Sequence, residues 1–275
     1  MADAGPYTLF DHPLAFHPGK ARLALVEKQV PFNSKVINLF NGDSLKPDYL
    51  KVNPAGTVPA LAAADGRVLC TQSREIVEFV DKLGGAPLGG AGADRKLVAS
   101  WIAKVDAWDG NLYAAGNAPS AAKLLGSITA FKIKFAEARA KENPELAGTY
   151  AKKIAGMKAA DAEGRDAAAV EANRRQLAAL LDEAEAQLTK TPFLAGSDYS
   201  MADVMMTPVI FRTGVAGQTK DLLAPRPKVS DYWDRLKARP SYQKVFGPAL
   251  SGATAAGLIL PAVAKAWLAS WTGRY

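Results

Sequence analysis

The sequence predicts a small α/β domain followed by an all-helical domain. Three observations carry this. Residues 1–83 alternate between short apolar runs of strand type and short helical patterns. A Gly/Pro/Ala-rich run without periodicity, "LGGAPLGGAGA" at 83–93, comes next. Everything beyond it has helical spacing.

In order, "YTLF" (7–10) reads as a strand. Lys20 to Glu27 reads as a helix, with Pro18 suited to its first turn and Ala21, Ala24 and Leu25 on one face. "FNSKVINL" (32–39) reads as a strand and "GDSLKPDYLKVNP" (42–54) as a short, broken helix. "VPALAAADGRVLC" (58–70) reads as two strands around an Asp65-Gly66 turn. Ser73 to Leu83 is a helix with Ile76, Val77 and Val80 on one face. The order is β-α-β-α-β-β-α, which makes 1–83 one domain and 84–93 a linker.

The helical domain runs over 94–248. Its clearest helix has Leu177, Leu180, Leu181, Ala184 and Leu188 along one stripe. The Ala-rich stretch 147–172 is poor in bulky apolar residues, so exposed helices joined near 162–165 are expected there rather than core.

Composition narrows the function. Of 275 residues 49% are hydrophobic, enough for a sizeable core. The net charge of +7 is modest and spread out. Its densest run, "FKIKFAEARAK" from Phe131, reads first as a solvated helix face. No zinc spacing, helix-turn-helix pattern or aromatic-basic strand points to nucleic acid, and two His make a metal site improbable. The one cysteine, Cys70, excludes an internal disulfide framework, suits a reducing, cytoplasmic compartment, and reads as a core thiol. The N-terminus carries no targeting pattern. Residues 249–275 form an apolar C-terminal segment. Its unbroken apolar part is short for a membrane span, so a packed helix is the first reading and an interfacial anchor the second.

Three local patterns point to one site. The loop and helix start at 12–20, "HPLAFHPGK", offers unpaired N–H groups and the positive end of a helix dipole. In "NPAGTVPAL" a Val-Pro at a strand start leaves the Val58 backbone free to pair with something extended. In "TQSREI", Ser73 at a helix N-terminus can cap the helix or bind a carboxylate. Singly these are a loop, an edge proline and a helix cap. Their joint spacing says more.

Together with "KARLALVEK", "LKPDYLKVNPAGTVPAL" and "TQSREIVEFVD", the first domain resembles the glutathione-binding, thioredoxin-like domain of the glutathione transferase superfamily. In the second half "FLAGSDYSMADVMMTPVIFR" (193–212) resembles the superfamily's capped helix, with Ser200 and Asp203 forming the box, and "YWDRLKARPSYQKV" (232–245) resembles another of its signatures. More narrowly, "PELAGTY", "FLAGSDYSMADVMM" and "RPSYQKVFG" resemble the plant tetrachlorohydroquinone-dehalogenase-like class, whose long helical insertion would correspond to 118–170. Ganglioside-induced differentiation-associated protein-like transferases are more distantly similar.

The resemblance implies that glutathione is a co-substrate and that Thr57, Val58 and a cis Pro59 pair with its cysteinyl unit. It puts Gln72 and Ser73 on the γ-glutamyl carboxylate and Lys46 near the glycyl carboxylate. Gln72 departs from the Glu that many relatives carry. The serine hydroxyl that usually faces the thiolate is replaced by Ala15. The backbone around Ala15 and Phe16, or the side chain of His17 or His12, then becomes the substitute. Trp101, Trp108 and Tyr113 are candidates for an electrophile pocket or, alternatively, for core or dimer packing. The implied activity is transfer of the thiolate to a small hydrophobic electrophile, with a homodimer as the assembly. The alternative is a non-catalytic binding or scaffold protein in a larger assembly or at a membrane surface.

Overall fold

The computed structural model describes residues 7–117, 119–250, 252–273 and 275. Its first domain is a four-stranded sheet of β1 (Tyr7–Asp11), β2 (Phe32–Val36), β3 (Ala60–Ala62) and β4 (Val68–Cys70), in the order β2-β1-β3-β4. β1 runs parallel to β2, with Tyr7 opposite Phe32, and antiparallel to β3, with Leu9 opposite Leu61. Side-chain alternation divides the two faces. Tyr7, Leu9 and Leu61 join the core under α1 (Phe16–Glu27) and α3 (Ser73–Asp81). Phe10, Ala60 and Ala62 pack with Tyr49 of α2 (Pro47–Val52) on the other face. This is the expected thioredoxin-like arrangement.

Two boundaries moved for identifiable reasons. α1 starts at Phe16 rather than Lys20, because Pro18 at its third position gives up only an N–H that has no helical partner. β2 stops at Val36 because the Asn38 side chain captures the next amides, accepting from Phe40 N at 3.0 Å. The linker is pinned: Ala93 bridges to Gly196, and the Gly92 carbonyl accepts from Ser197 N at 2.8 Å. Cys70, on the edge strand, is half-buried rather than a core thiol.

The second domain is helical: α4 (Arg95–Asp106), α5 (Gly110–Asn117), α6 (Pro119–Glu142), α7 (Ala147–Glu163), α8 (Ala167–Leu188), α9 (Met201–Val215), α10 (Thr219–Leu223), α11 (Pro227–Lys237), α12 (Pro240–Leu250) and α13 (Gly252–Thr272). α9 is buried along most of its length and packs against both α4 and α1, so the two domains share one core.

Over 147–172 the helices are mostly exposed and joined at 164–166, as expected, but Tyr150 of α7 is buried. α6 and α7 form a hairpin that folds back onto the first domain. Phe131, Phe135 and Tyr150 pack on Leu45 and Leu50, and the Tyr150 hydroxyl donates to Leu45 O at 2.8 Å. α13 lies along α6, with Ala262 and Ala269 buried, Lys265 Nζ donating to Asn41 O at 2.9 Å, and Asn38 Nδ2 donating to Leu258 O at 3.1 Å. Its outer side leaves Leu260, Trp267, Leu268 and Trp271 exposed. By length and composition alone it is long and apolar enough to cross a membrane.

Candidate active site

The loop between β1 and α1 is held by Arg22. Its guanidinium donates to Asp11 Oδ1 at 2.7 Å, His12 O at 3.1 Å and Pro13 O at 3.0 Å, and Ser34 Oγ donates to Asp11 Oδ2 at 3.1 Å. A buried pair of this kind is costly to break from one side, which fixes the loop. The chain thereby delivers Ala15 to the N-cap of α1, with φ −86° and ψ 143° and no side-chain cap bond. Gly19 N bonds back to Ala15 O, and Pro18 has no N–H. The first-turn amides of Phe16 and His17 have no carbonyl to reach within the helix. The Phe16 ring is itself core, packed edge-on to Trp108, so the cavity is offered the residue's backbone.

Ala15, Phe16, His17, Thr57, Val58, Pro59, Gln72 and Ser73 all line one cavity of about 270 Å³. The Val58–Pro59 peptide is cis. Gln72 is the N-cap of α3 and Ser73 its first residue, so Ser73 does not cap the helix. It is 4% exposed, with its Oγ 3.3 Å from His17 Nδ1. Burial, helped by the charge of Lys20, pushes the His17 pKa down to about 4 against the opposing pull of Asp109. His17 is therefore neutral at pH 7 and meets Ser73 as a hydrogen-bond partner without charge.

Several expected site residues lie elsewhere. His12 is 1% exposed and faces the edge of Phe40. Its Nδ1 accepts from Leu14 N at 3.3 Å, and its Nε2 is buried without a partner. It is absent from the cavity wall, because the Arg22 clamp turns it inward. Lys46 also lies outside, paired with Asp43 at 2.7 Å on the far side of α2. Trp101, Trp108 and Tyr113 are core rather than pocket. All three are at most 2% exposed, and the Trp108 indole donates to Asn173 O.

The space beside the groove is instead a second cavity, of about 410 Å³, between α5, α6 and α7. Leu112, Thr129 and Met157 are among its walls, and Asn111 and Lys132 are common to both cavities. Sequence reasoning missed Ser44, Asn111, Lys132 and Lys153. A signal for Lys132 was present: position 132 falls in the same stripe as the buried Ile128, Phe131 and Phe135, not on the opposite, solvated face.

The two histidines predict acid lability. Burial also pushes His12 down to about 4, with Asp11 opposing the effect and Arg22 and Lys132 adding to it. Both pKa values are depressed in the fold, so the unfolded chain binds more protons. The stabilisation is present above pH 6.5 and is lost as pH falls from 6.5 toward 4, by up to about 1.4 kcal/mol per pH unit for each histidine. Urea midpoints at pH 7 and pH 5 should differ accordingly. His12→Asn, which keeps an acceptor for Leu14 N but does not titrate, should remove roughly half of that slope. An unaltered slope would contradict the assignment.

Family models for the glutathione S-transferase N-terminal and C-terminal domains match residues 17–83 and 167–235. A tetrachloro-p-hydroquinone reductive dehalogenase of Sphingobium chlorophenolicum is 30% identical over 86% of this chain and 94% of its own length. The chain belongs to the glutathione S-transferase family. The plant glutathione S-transferase TCHQD of Arabidopsis thaliana is 29% identical over 89% of this chain and 91% of its own length, in keeping with the class suggested by the sequence motifs. Among solved structures, the β-etherase LigF of Sphingobium sp. strain SYK-6 superimposes with a TM-score of 0.67 at 21% identity, covering 88% of this chain and 99% of that one. That likeness supports the fold. The co-substrate of a glutathione S-transferase is glutathione, a tripeptide thiol with a carboxylate at each end. The unmatched stretch between the two family models, 84–166, contains α6 and α7.

Proposed function

We propose that this chain is a working glutathione transferase. Glutathione lies in the 270 Å³ groove, and its thiolate attacks a small hydrophobic electrophile held in the neighbouring α5–α6–α7 cavity. The observation that carries the reading is the convergence on one open groove of the α1 N-terminus at Ala15, the Val58–Pro59 segment, and Ser73 at the start of α3. Val58 offers its backbone to the cysteinyl unit. Ser73 and the N-terminus of α3 take the γ-glutamyl carboxylate. His17, neutral and donating through Nδ1 to Ser73 Oγ, leaves the serine's own hydrogen for that carboxylate, which makes it a positioning residue.

The thiol proton is released to solvent. The amides of Phe16 and His17 and the dipole of α1 stabilise the sulfur anion that remains. In the transfer a carbon–sulfur bond forms. From a halogenated carbon, the halide departs with the bonding pair. At an unsaturated carbon, the π pair moves to the neighbouring atom and is protonated. The reading includes a homodimer and a cytoplasmic setting, as the family resemblance implies.

The test is retention on immobilised glutathione followed by turnover of chlorodinitrobenzene. Ser73→Ala should weaken glutathione binding at least tenfold, the scale of one charge-assisted hydrogen bond. Retention without turnover would favour the non-catalytic binding reading, which Ala15 at the usual serine position motivates. No retention would overturn the glutathione assignment.

A further inference from the structure

The groove has two polar ends, and only one of them is explained by Ser73. The other lies on the opposite face of the sheet, beside α2, where Ser44, Gly56, Lys132 and Lys153 line the cavity. Ser44 is 1% exposed, and its Oγ is buried with no hydrogen-bond partner. Gly56 has φ +58°. A side chain there would meet Ser44 O at 3.0 Å and Lys153 Cε at 3.4 Å, so the backbone, Ser44 and the Lys153 stem are packed together. Lys132 comes from α6 and Lys153 from α7. Neither is among the ion pairs of the described residues. Burial lowers the pKa of both, and for Lys153, brought down to about 8, the charge of Lys132 is a second cause. Two cations close enough to repel and an orphaned hydroxyl, all partly shielded from water, therefore meet at this end of the groove, the surroundings that favour an anion.

We infer that Lys132 and Lys153, with Ser44, hold the glycyl carboxylate of glutathione, so that the α6–α7 hairpin supplies one of the two anion-binding ends of the groove. This rests on the glutathione reading of the same site and gives it a second, independent anchor. An extended tripeptide spans about 10 Å and carries one carboxylate at each end. The groove offers one anion-binding end at Ser73 and α3, and the other at the hairpin lysines. Lys46, the residue the resemblance places near this carboxylate, is occupied by Asp43 outside the cavity. The hairpin falls in the stretch that neither family model matches. Its packing on Leu45 through Tyr150 is what brings the two ammonium groups to the groove.

The experiment compares calorimetric binding of glutathione with that of its glycyl ethyl ester, which lacks only that carboxylate. The wild-type chain should bind glutathione at least tenfold more tightly than the ester. In Lys132→Met/Lys153→Met, which keeps most of the apolar stems, the ratio should fall to near one with ester affinity unchanged. The double arginine variant should restore it. Should the double methionine variant fail to fold, Lys153→Met alone decides the matter by the same ratio. A ratio unchanged in the methionine variants, or one abolished instead by Lys46→Ala, would overturn the inference while leaving the glutathione site intact. Binding of neither thiol by the wild-type chain would overturn the glutathione reading and the subsite together.

Discussion

Replacing Ala15 with serine is expected to lower the thiol pKa of bound glutathione by one to two units, raising its thiolate fraction ten- to a hundredfold at pH values below that pKa. Ala15 lines the groove at the N-cap of α1, where its methyl group gives the sulfur no hydrogen bond. A serine at an N-cap ordinarily turns its oxygen toward the amide of the second or third helical residue. Here the third residue is Pro18, which has no N–H, so the hydroxyl is largely spared that role and its hydrogen can face the cavity. A hydrogen bond to an anion is worth about 1.5–3 kcal/mol, which sets the expected shift. The rate gain is smaller than the gain in thiolate, because a less basic thiolate is also a weaker nucleophile. With a Brønsted slope of about 0.4–0.5, as in thiol exchange, turnover should rise roughly three- to tenfold. The pKa is read from the ultraviolet absorbance of the thiolate in the binary complex, and the rate from chlorodinitrobenzene conjugation. An unchanged pKa would mean that the sulfur does not sit at the α1 N-terminus.

The residues that line the groove differ in how far sequence alone reveals them. Ser73, Val58 and Ala15 sit in short local patterns, where a helix start, a proline just before a strand and a Pro-Gly turn into a helix each restrict the backbone within a few residues. The sequence places such groups well because the constraint is local. Lys132 and Lys153 are set by long-range packing. Whether a basic residue on α6 faces water or the groove depends on where the hairpin docks, and that is decided by Phe131, Phe135 and Tyr150 meeting Leu45 and Leu50. Composition treats "FKIKFAEARAK" as one charged run, whereas the fold divides it into a solvated side and a site-facing side. The aromatic candidates failed for a related reason. Trp101, Trp108 and Tyr113 are large enough to line a pocket or fill a core, and nothing local distinguishes the two. The Arg22 clamp explains His12: a buried ion pair eleven residues apart in sequence holds the loop, and the histidine lies outside the groove wall.

The largest effect on stability is expected at Asp203, which is not among the residues lining the groove. Its carboxylate is fully buried and accepts four hydrogen bonds: Leu194 N at 3.0 Å, Ser200 N at 2.8 Å, Ser200 Oγ at 3.0 Å and Tyr232 OH at 2.7 Å. Burial raises its pKa, and those four donors pull the other way. Asp203→Ala leaves donors from three segments unpaired in a dry environment and removes a negative charge from the first turn of α9. The cost should be on the order of 4 kcal/mol, a large part of an ordinary domain's stability. Ser200→Ala, which removes one donor and leaves the rest paired, should cost only about 1 kcal/mol. Because α9 packs on α1 and carries Arg212, whose guanidinium lies 5.4 Å from the Phe16 ring centroid, the loss should reach the site as well. Urea unfolding of the two variants, read with retention on immobilised glutathione, separates the effects. Asp203→Ala should lose most of its midpoint and its retention together, and Ser200→Ala should keep both nearly intact. An Asp203→Ala midpoint within about 0.5 kcal/mol of wild type would mean that water or rearranged side chains satisfy those donors, and that this network does not hold α9 in place.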